Sequence, residues 1–469
     1  MGLGSQRNRY LLKNTTIFFI GNSATKLISF LLVPLYTNVF TTNQYGVADL
    51  VTTVCTVLAP VLVLNIGESV MRFSLDKDAD YAKIMSVGLG AFALAVVIGI
   101  SVIPVVDSVE QLSQYAVHIY FYTVFLAGSQ VFLCYLRGRE KLVEYAVGNI
   151  IQTASIALLN IAFLLLLDLG LPGYFMAYII ASAITMAYAF FVGDVVEVLH
   201  SLSFDWGLVK EMVKFSVVLI PNTFMWWIIN SSDRVLVTAT LGAAANGIYA
   251  VSYKIPSVVS VVASIFNQAW SYSAIHEEES EDRNEYANSV YRGLVAMSVI
   301  TGVGLMLLMK PLMSVYVEAS YFEAWRYTPF LIIGNVFMTS GTFLASWYTV
   351  SKDSKGFLFS ATSGAVVNVA LNLLLIPILG LTGSALATCV SFIAVFAYRA
   401  LDTRKYIRIR VFDRKQAVAY GVLLLSGATM FIDGMLSEFL MLAELIAVVL
   451  LFRDVWLPLA RGLIRRISG

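Results

Sequence analysis

Apolar runs of about twenty residues recur along this chain, and that one feature leaves it few ways to fold. A helix crossing the hydrocarbon of a bilayer needs about 20 mainly apolar residues. Fourteen such runs are readable, near residues 13–39, 46–66, 84–106, 114–136, 144–167, 173–193, 213–238, 246–270, 292–316, 325–349, 355–377, 381–400, 415–432 and 437–456. Of the 469 residues, 59% are hydrophobic and 13% charged, against roughly 25% charged in soluble domains. No water-soluble domain of any size is expected. The fold class that follows is all-α: a polytopic membrane protein of about 14 transmembrane helices.

Charge placement tests this reading. With a cytoplasmic N-terminus, all but five of the 31 lysines and arginines fall in cytoplasmic segments. Only Lys310 and Arg326 lie outside, and Lys26, Arg234 and Lys254 sit within spans. That asymmetry is what the positive-inside rule demands, and it places both termini in the cytoplasm. The outer loops are short, and those near 40–45, 239–245 and 378–380 carry no charge, so none could house a catalytic domain. The acidic run His276–Arg283 reads first as a solvated loop. Basic and acidic residues nearly cancel, which points away from nucleic acid. Cys55, Cys134 and Cys389 lie far apart in apolar stretches, as buried thiols rather than a disulfide framework or zinc site. No cofactor or metal is expected. Residues 1–13 are polar and basic, and the apolar run after them is too long for a signal peptide. No GxxxxGK[ST] stretch exists, which disfavours an ATP-driven pump.

An internal repeat is legible. Leu169–Ala177 reads LGLPGYFMA and Leu379–Ala387 reads LGLTGSALA, with five identities at an offset of 210. A second echo links Gln44–Ala48 (QYGVA) with Ala245–Ala250 (ANGIYA). Together they point to six spans followed by six more, plus two at the end. Six is even, so both halves enter from one side and form a parallel repeat, with a central site between halves.

Charges within hydrocarbon cost about 2.5 kcal/mol or more, so they mark protein interiors or wet cavities. Asn22, Lys26 and Ser29 share one face of the first span at i, i+4, i+7. The second shows Asp49, Thr53, Thr56 and Pro60, with Glu68 and Arg72 continuing the stripe. The seventh carries Asn222, Trp226, Asn230 and Asp233 on one side, with Arg234 adjacent. The eighth carries Tyr249, Tyr253 and Pro256, flanked by Lys254. Each has a bland alternative. Asp233 and Arg234 would neutralise partners near an interface, Lys254 would snorkel, and Trp226 and Trp227 would simply pack. Lys26 sits mid-span, too deep for easy snorkelling. Asn368 and Asn372 are expected to join helices by hydrogen bonds.

Residues 213–260 carry a Pro-Asn pair (Pro221, Asn222), then Asp233–Arg234, then Gly-x-Tyr (Gly247, Tyr249). Tyr45–Gly46, Arg72–Phe73, YLRGREK (Tyr135–Lys141) and the LGLTGSALAT turn add to it. In these motifs the chain resembles bacterial polysaccharide and oligosaccharide flippases of the multidrug/oligosaccharidyl-lipid/polysaccharide exporter superfamily, over nearly its whole length. The resemblance implies two six-helix lobes, 1–200 and 201–412, around a central cavity that opens alternately to each side, with two additional helices in 413–469. It implies an undecaprenyl-diphosphate-linked oligosaccharide as substrate, in the bacterial inner membrane, with polysaccharide polymerase machinery as a partner. Lys26, Arg72, Arg234 and Lys254 would pair with diphosphate, and Asn22, Asn222, Trp226, Asn230, Tyr249 and Tyr253 would meet sugar. Asp49, Glu68 and Asp233 would bind a coupling ion, H+ or Na+, or balance the cations.

Rival readings remain within and beyond that superfamily. A lipid II flippase also has fourteen spans, but its first span typically carries more arginines. A multidrug or cation antiporter often has an acidic residue in the first span, which is absent here. A membrane enzyme acting on lipid-linked sugars would need catalytic groups on sizeable loops, and the three histidines and short outer loops do not supply them. Cysteine-accessibility labelling should place 40–45 and 239–245 outside and 77–80 and 404–410 inside; a reversed result at one site breaks the fourteen-span scheme.

Overall fold

The computed structural model describes residues 25–109, 111–261, 283–351, 353–455 and 457; among them there are helices, turns and loops but no strand. The chain is an all-α, polytopic membrane protein, as its apolar runs require. Ten helices among the described residues are long and apolar enough to cross a membrane. The first and eighth expected spans run partly outside the described residues, and the thirteenth and fourteenth are helices of 16 and 17 residues.

The chain divides into two compact units, Met1–Trp227 and Ile228–Gly469. The first holds α1 (Thr25–Val39), α2 (Thr42–Leu62), α3 (Ile66–Ser74), α4 (Tyr81–Asp107), α5 (Ala116–Gly138), α6 (Leu142–Asn160), α7 (Gly170–Val192), α8 (Val195–His200) and the start of α9 (Trp206–Leu241). The second holds the rest of α9, then α10 (Ala243–Lys254), α11 (Arg283–Tyr316), α12 (Thr328–Val350), α13 (Ser354–Leu379), α14 (Leu381–Asp402), α15 (Arg414–Thr429) and α16 (Met435–Leu451). At 36 residues, α9 is about 54 Å long, well beyond a hydrocarbon thickness of roughly 30 Å.

Each unit is organised around one helix that its neighbours enclose. In the first, α5 packs on α7, α3, α4 and α2, and 72% of its apolar window is buried. In the second, α12 packs on α14, α11 and α15, with 78% buried. Both windows exceed the 11–17% of α6, α4 and α9, so α5 and α12 are the cores. The C-terminal helices join the second core through polar contacts. Tyr291 and Tyr420 hydroxyls meet at 3.1 Å, Ser340 is 3.1 Å from Tyr420, and Thr429 donates to Glu444 at 2.8 Å.

The repeat seen in sequence is a repeat of backbone geometry. Gly170 has φ +58 and Gly380 φ +59, a left-handed turn that glycine adopts without strain. Gly170 begins α7 and Gly380 caps the start of α14. Three residues on, a Cβ at Gly173 would come within 2.6 Å of Leu169 Cβ, and one at Gly383 would overlap the Leu375 carbonyl. A 3-10 turn precedes both cores, Ser113–Tyr115 before α5 and Ala319–Arg326 before α12.

A corner clasp also recurs, with its charges exchanged. In the first unit Arg139 and Lys141, between α5 and α6, reach Asp194 beyond α7 at 3.0 and 2.8 Å and cap the carbonyls of Gly193 and Val192. The hydrogen bond from Lys141 is the main cause holding the Asp194 carboxyl below its usual range. In the second unit the acid lies on the turn: Asp353, between α12 and α13, accepts from Lys405 at 3.1 Å and Tyr406 at 2.7 Å. The Gly356 backbone N–H, with those two side chains, holds Asp353 down to about 2.

The structure corrects one expectation about the second span. Leu64 and Asn65 take left-handed φ values of 50° and 55°, so α2 and α3 are separate helices. Pro60 lies inside α2 three residues before its cap and lacks the N–H that would bond the Thr56 carbonyl one turn back. The Asn65 N–H instead bonds back to the Pro60 carbonyl at 2.6 Å. Asp49, Thr53 and Thr56 therefore do not share a continuous helical face with Glu68 and Arg72.

The close approach at Gly383 gives a stability test. Gly383→Ala should cost about 2–3 kcal/mol because backbone must move. Gly421→Ala, in α15 with open space around it, should gain about 0.5–1 kcal/mol. Thermal unfolding in detergent should move the two midpoints in opposite directions.

Candidate functional site

Asp233 lies in the second unit's part of α9 and is fully buried. A carboxylate there needs donors, and three hydroxyls converge on its Oδ2. Tyr249 donates at 2.9 Å, Tyr253 at 2.6 Å and Thr388 at 3.1 Å. Its Oδ1 accepts the Arg234 backbone N–H at 2.9 Å. Tyr249 and Tyr253 are i, i+4 on α10 and so face one way; their rings meet edge to face at 5.2 Å. The Arg234 guanidinium lies 5.2 Å from the Tyr253 ring centre, a cation–π contact.

Behind Thr388 runs a chain of donors. Ser384 donates to Asn372 Oδ1 at 2.8 Å, and Asn372 Nδ2 donates to Asn368 Oδ1 at 3.1 Å. Asn368 Nδ2 reaches Thr388 Oγ1 at 3.4 Å, and Thr388 donates to Asp233. Each bond in this chain is directed toward the carboxylate, so each polarises the next. Ser232 adds a bond to Asn368 Oδ1 at 3.2 Å. The network joins α9, α10, α13 and α14. Asn368 and Asn372 do bind helices together, as their spacing suggested.

The first unit has its own buried acid. Asp49, on α2, is 6% exposed and lies in electrostatic range of Tyr178. Tyr174 donates to Tyr178 at 3.1 Å, and Tyr36 stacks on Tyr45 and meets Tyr174 edge-on at 5.3 Å. Tyr178 and Thr388 stand at the repeat offset of 210. Trp227 Nε1 donates to the Thr53 carbonyl at 3.2 Å, which makes that indole a tie between α9 and α2.

The other expected residues are placed as follows. Asn22 lies outside the described residues. Lys26 is exposed on α1. Arg72 is exposed on α3 and pairs with Asp76 at 2.6 Å. Glu68 is half-buried in the first turn of α3. Asn222 and Trp226 are half-buried, Asn230 exposed and Lys254 half-buried. The structure brings Asp233, Arg234, Tyr249 and Tyr253 into one cluster. Sequence reasoning missed Thr388 and Ser384, although both stand in the repeated LGLTGSALAT turn. Among the described residues no three His, Cys, Asp or Glu side chains gather as a metal site.

A family model described as "Polysaccharide biosynthesis protein" matches residues 11–272. The chain belongs to that family. No curated protein matches it. The fold is similar to a solved structure titled "Lipid II flippase MurJ, inward closed conformation", at TM-score 0.64 and 14% identity, covering 97% of this chain and 100% of that one. It is also similar to the inward-facing conformation of a multidrug resistance MATE family transporter of the MOP superfamily, at TM-score 0.64 and 15% identity, covering 82% and 93%. A further MATE structure, in complex with MaL6, gives 0.59 at 15% identity over 84% and 95%. At such identities the likeness establishes the fold alone, a many-helix membrane architecture.

The Asp233 network predicts a graded stability response. Tyr253→Phe removes one bond and should cost about 1 kcal/mol. Asp233→Ala strands several buried donors, each costing about 1–3 kcal/mol. Melting in detergent should rank wild type above Tyr253→Phe, and that above Asp233→Ala; an Asp233→Ala protein as stable as wild type contradicts the assigned bonds.

Proposed function

We propose that this protein is a flippase that moves undecaprenyl-diphosphate-linked oligosaccharide from the cytoplasmic to the outer leaflet of the bacterial inner membrane, for surface polysaccharide synthesis. Its two six-helix lobes, 1–200 and 201–412, alternate access, with 413–469 as an appended pair and both termini cytoplasmic. The carrying observation is the buried polar network around Asp233, in an otherwise apolar bundle of a polysaccharide-biosynthesis family member. A sugar headgroup has many hydroxyls, each costing up to several kcal/mol to desolvate unpaired, so it needs a polar path while its polyprenyl tail stays in lipid. Lys26, Arg72, Arg234 and Lys254 serve the diphosphate, and Asn22, Asn222, Trp226, Asn230, Tyr249 and Tyr253 serve the sugars. Polymerase machinery takes the product.

Coupling to H+ or Na+ falls to the carboxylates. Asp233 Oδ2, with the hydroxyl oxygens of Tyr249, Tyr253 and Thr388, offers hard oxygen ligands of the kind that hold hard cations, or a carboxylate that exchanges a proton. Asp49 and Glu68 are the corresponding acids of the first unit. A lipid II-type flippase is the second reading, favoured by the full-length likeness to the MurJ structure.

Depletion separates the two. Lipid-linked oligosaccharide should accumulate on the cytoplasmic leaflet, and cells should lose a surface glycan while continuing to grow. Lysis with an intact surface glycan would favour lipid II. Asp233→Asn should lower glycan export at least tenfold at near-normal protein abundance; full export would remove Asp233 from coupling.

A further inference from the structure

A polar cavity of about 740 Å³ opens where the first two turns of α11 meet the segment between α14 and α15. That size suits a bound molecule, since ligand cavities run to roughly 300–1,000 Å³. Its construction is specific. Asn284 and Asn288, one turn apart on α11, use their side-chain amides as a strand edge would. Asn284 Oδ1 accepts the Arg408 N–H at 3.2 Å and Asn288 Oδ1 the Arg410 N–H at 2.7 Å. Asn288 Nδ2 donates to the Arg408 carbonyl at 3.0 Å. Two arginines that line the cavity therefore rise from a fixed backbone.

Three cations line the cavity: Arg292, Arg408 and Arg410. Neither the Arg408 nor the Arg410 guanidinium has a hydrogen bond or ion pair with a described residue. Arg292 Nε is buried without an acceptor among the described residues, and its contacts to Asp413 and Asp454 are long, at 3.7 and 3.8 Å. Two carboxylates, Glu285 and Asp413, also line it. Asp413 is committed to capping α15, accepting from the Arg414 N–H at 2.8 Å. The lining thus carries one excess positive charge, with guanidinium donors left over.

The cavity lies at the polar end of a candidate membrane span, Asn284–Tyr316. The apolar run of α11 begins at Gly293, directly after Arg292. Phe412, in the segment that closes the cavity, is 63% exposed and Leu401 64%, as apolar groups at an acyl-chain boundary would be. We propose that this cavity is a binding site for an anionic phospholipid, with Arg292, Arg408 and Arg410 holding the phosphodiester and the acyl chains running down beside Phe412. A singly charged phosphodiester matches the excess charge, and guanidinium forks suit phosphate oxygens. This site is independent of the transport reading and would tune the stability of the second unit from the surrounding leaflet.

The test measures phosphatidylglycerol affinity of the purified full-length protein by native mass spectrometry, with phosphatidylcholine as reference. Wild type should prefer phosphatidylglycerol. Losing two arginines at roughly 1 kcal/mol each near an anionic headgroup weakens binding on the order of thirtyfold, so the R408Q/R410Q double variant should lose most of the preference. R408K/R410K, which keeps both charges and controls for folding, should weaken it only a few-fold. Equal binding of the two lipids by wild type, or undiminished preference in R408Q/R410Q, overturns the site. Displacement of the lipid by millimolar inorganic phosphate overturns the lipid assignment in favour of a soluble phosphate.

Discussion

A polar group removed from water must find its hydrogen bonds inside the protein, and in hydrocarbon there is no other supplier. Everything else in this structure answers to that constraint. The backbone meets it by helix, span after span. The side chains meet it by gathering: Ser232 and Asp233 of α9, Tyr249 and Tyr253 of α10, Asn368 and Asn372 of α13 and Ser384 and Thr388 of α14 form one hydrogen-bonded network. Asp233 is the extreme case. A buried carboxylate is among the most expensive groups to leave unmatched, and it draws three hydroxyl donors from two helices besides its own. Arg399 is the cationic counterpart: fully buried, it donates to Ser360 at 3.0 Å and the Gly341 carbonyl at 3.1 Å, tying α14 to α13 and α12.

The two repeats show what such a constraint preserves and what it leaves free. Backbone geometry is preserved. Gly170 and Gly380 have φ within a degree of each other, and the glycines three residues on each permit a close approach, of the Leu169 side chain in one and the Leu375 backbone in the other. Chemistry is free to exchange. The clasp on one unit places cations on the turn and the acid beyond the last helix, and the other unit reverses the signs. Position 178 holds a tyrosine and position 388 a threonine, yet both are hydroxyls directed into a polar cluster. An electrostatic pair is satisfied by either polarity, whereas an overlapping Cβ is satisfied by neither.

The same distinction explains what the sequence disclosed. Spans were legible because length and apolarity alone decide them. The i, i+4 stripes of α9 and α10 disclosed Asp233, Tyr249 and Tyr253, because helical spacing decides a face. Thr388, Ser384 and the direction of the donor chain were not legible: a threonine in an apolar helix has the same local signature whether it bonds its own backbone or a carboxylate 155 residues away. The break at Leu64–Asn65 was hidden for a related reason. Pro60 licenses a bend but does not dictate its place, and Leu64 is a residue from which no left-handed conformation would be guessed. Lys26 and Arg72 were singled out for their charge, and charge alone does not say which neighbours a side chain will meet.

The Asp233 network also bears on how an ion would act under the proposed coupling. Oδ2 now accepts three hydroxyls, two from α10 and one from α14. A proton on that oxygen turns an acceptor into a donor and removes the reason for at least one hydroxyl to stay. A sodium ion does the same by competing for the lone pairs. The bonds open to that competition are the link from α9 to α14 through Thr388 and the two from Tyr249 and Tyr253, on the helix that directly follows α9. An ion shifts a conformational equilibrium only through its differential affinity for the two states. Here the difference has a location: the seam between α9–α10 and α13–α14, where one carboxylate oxygen holds the donors that a bound ion would release.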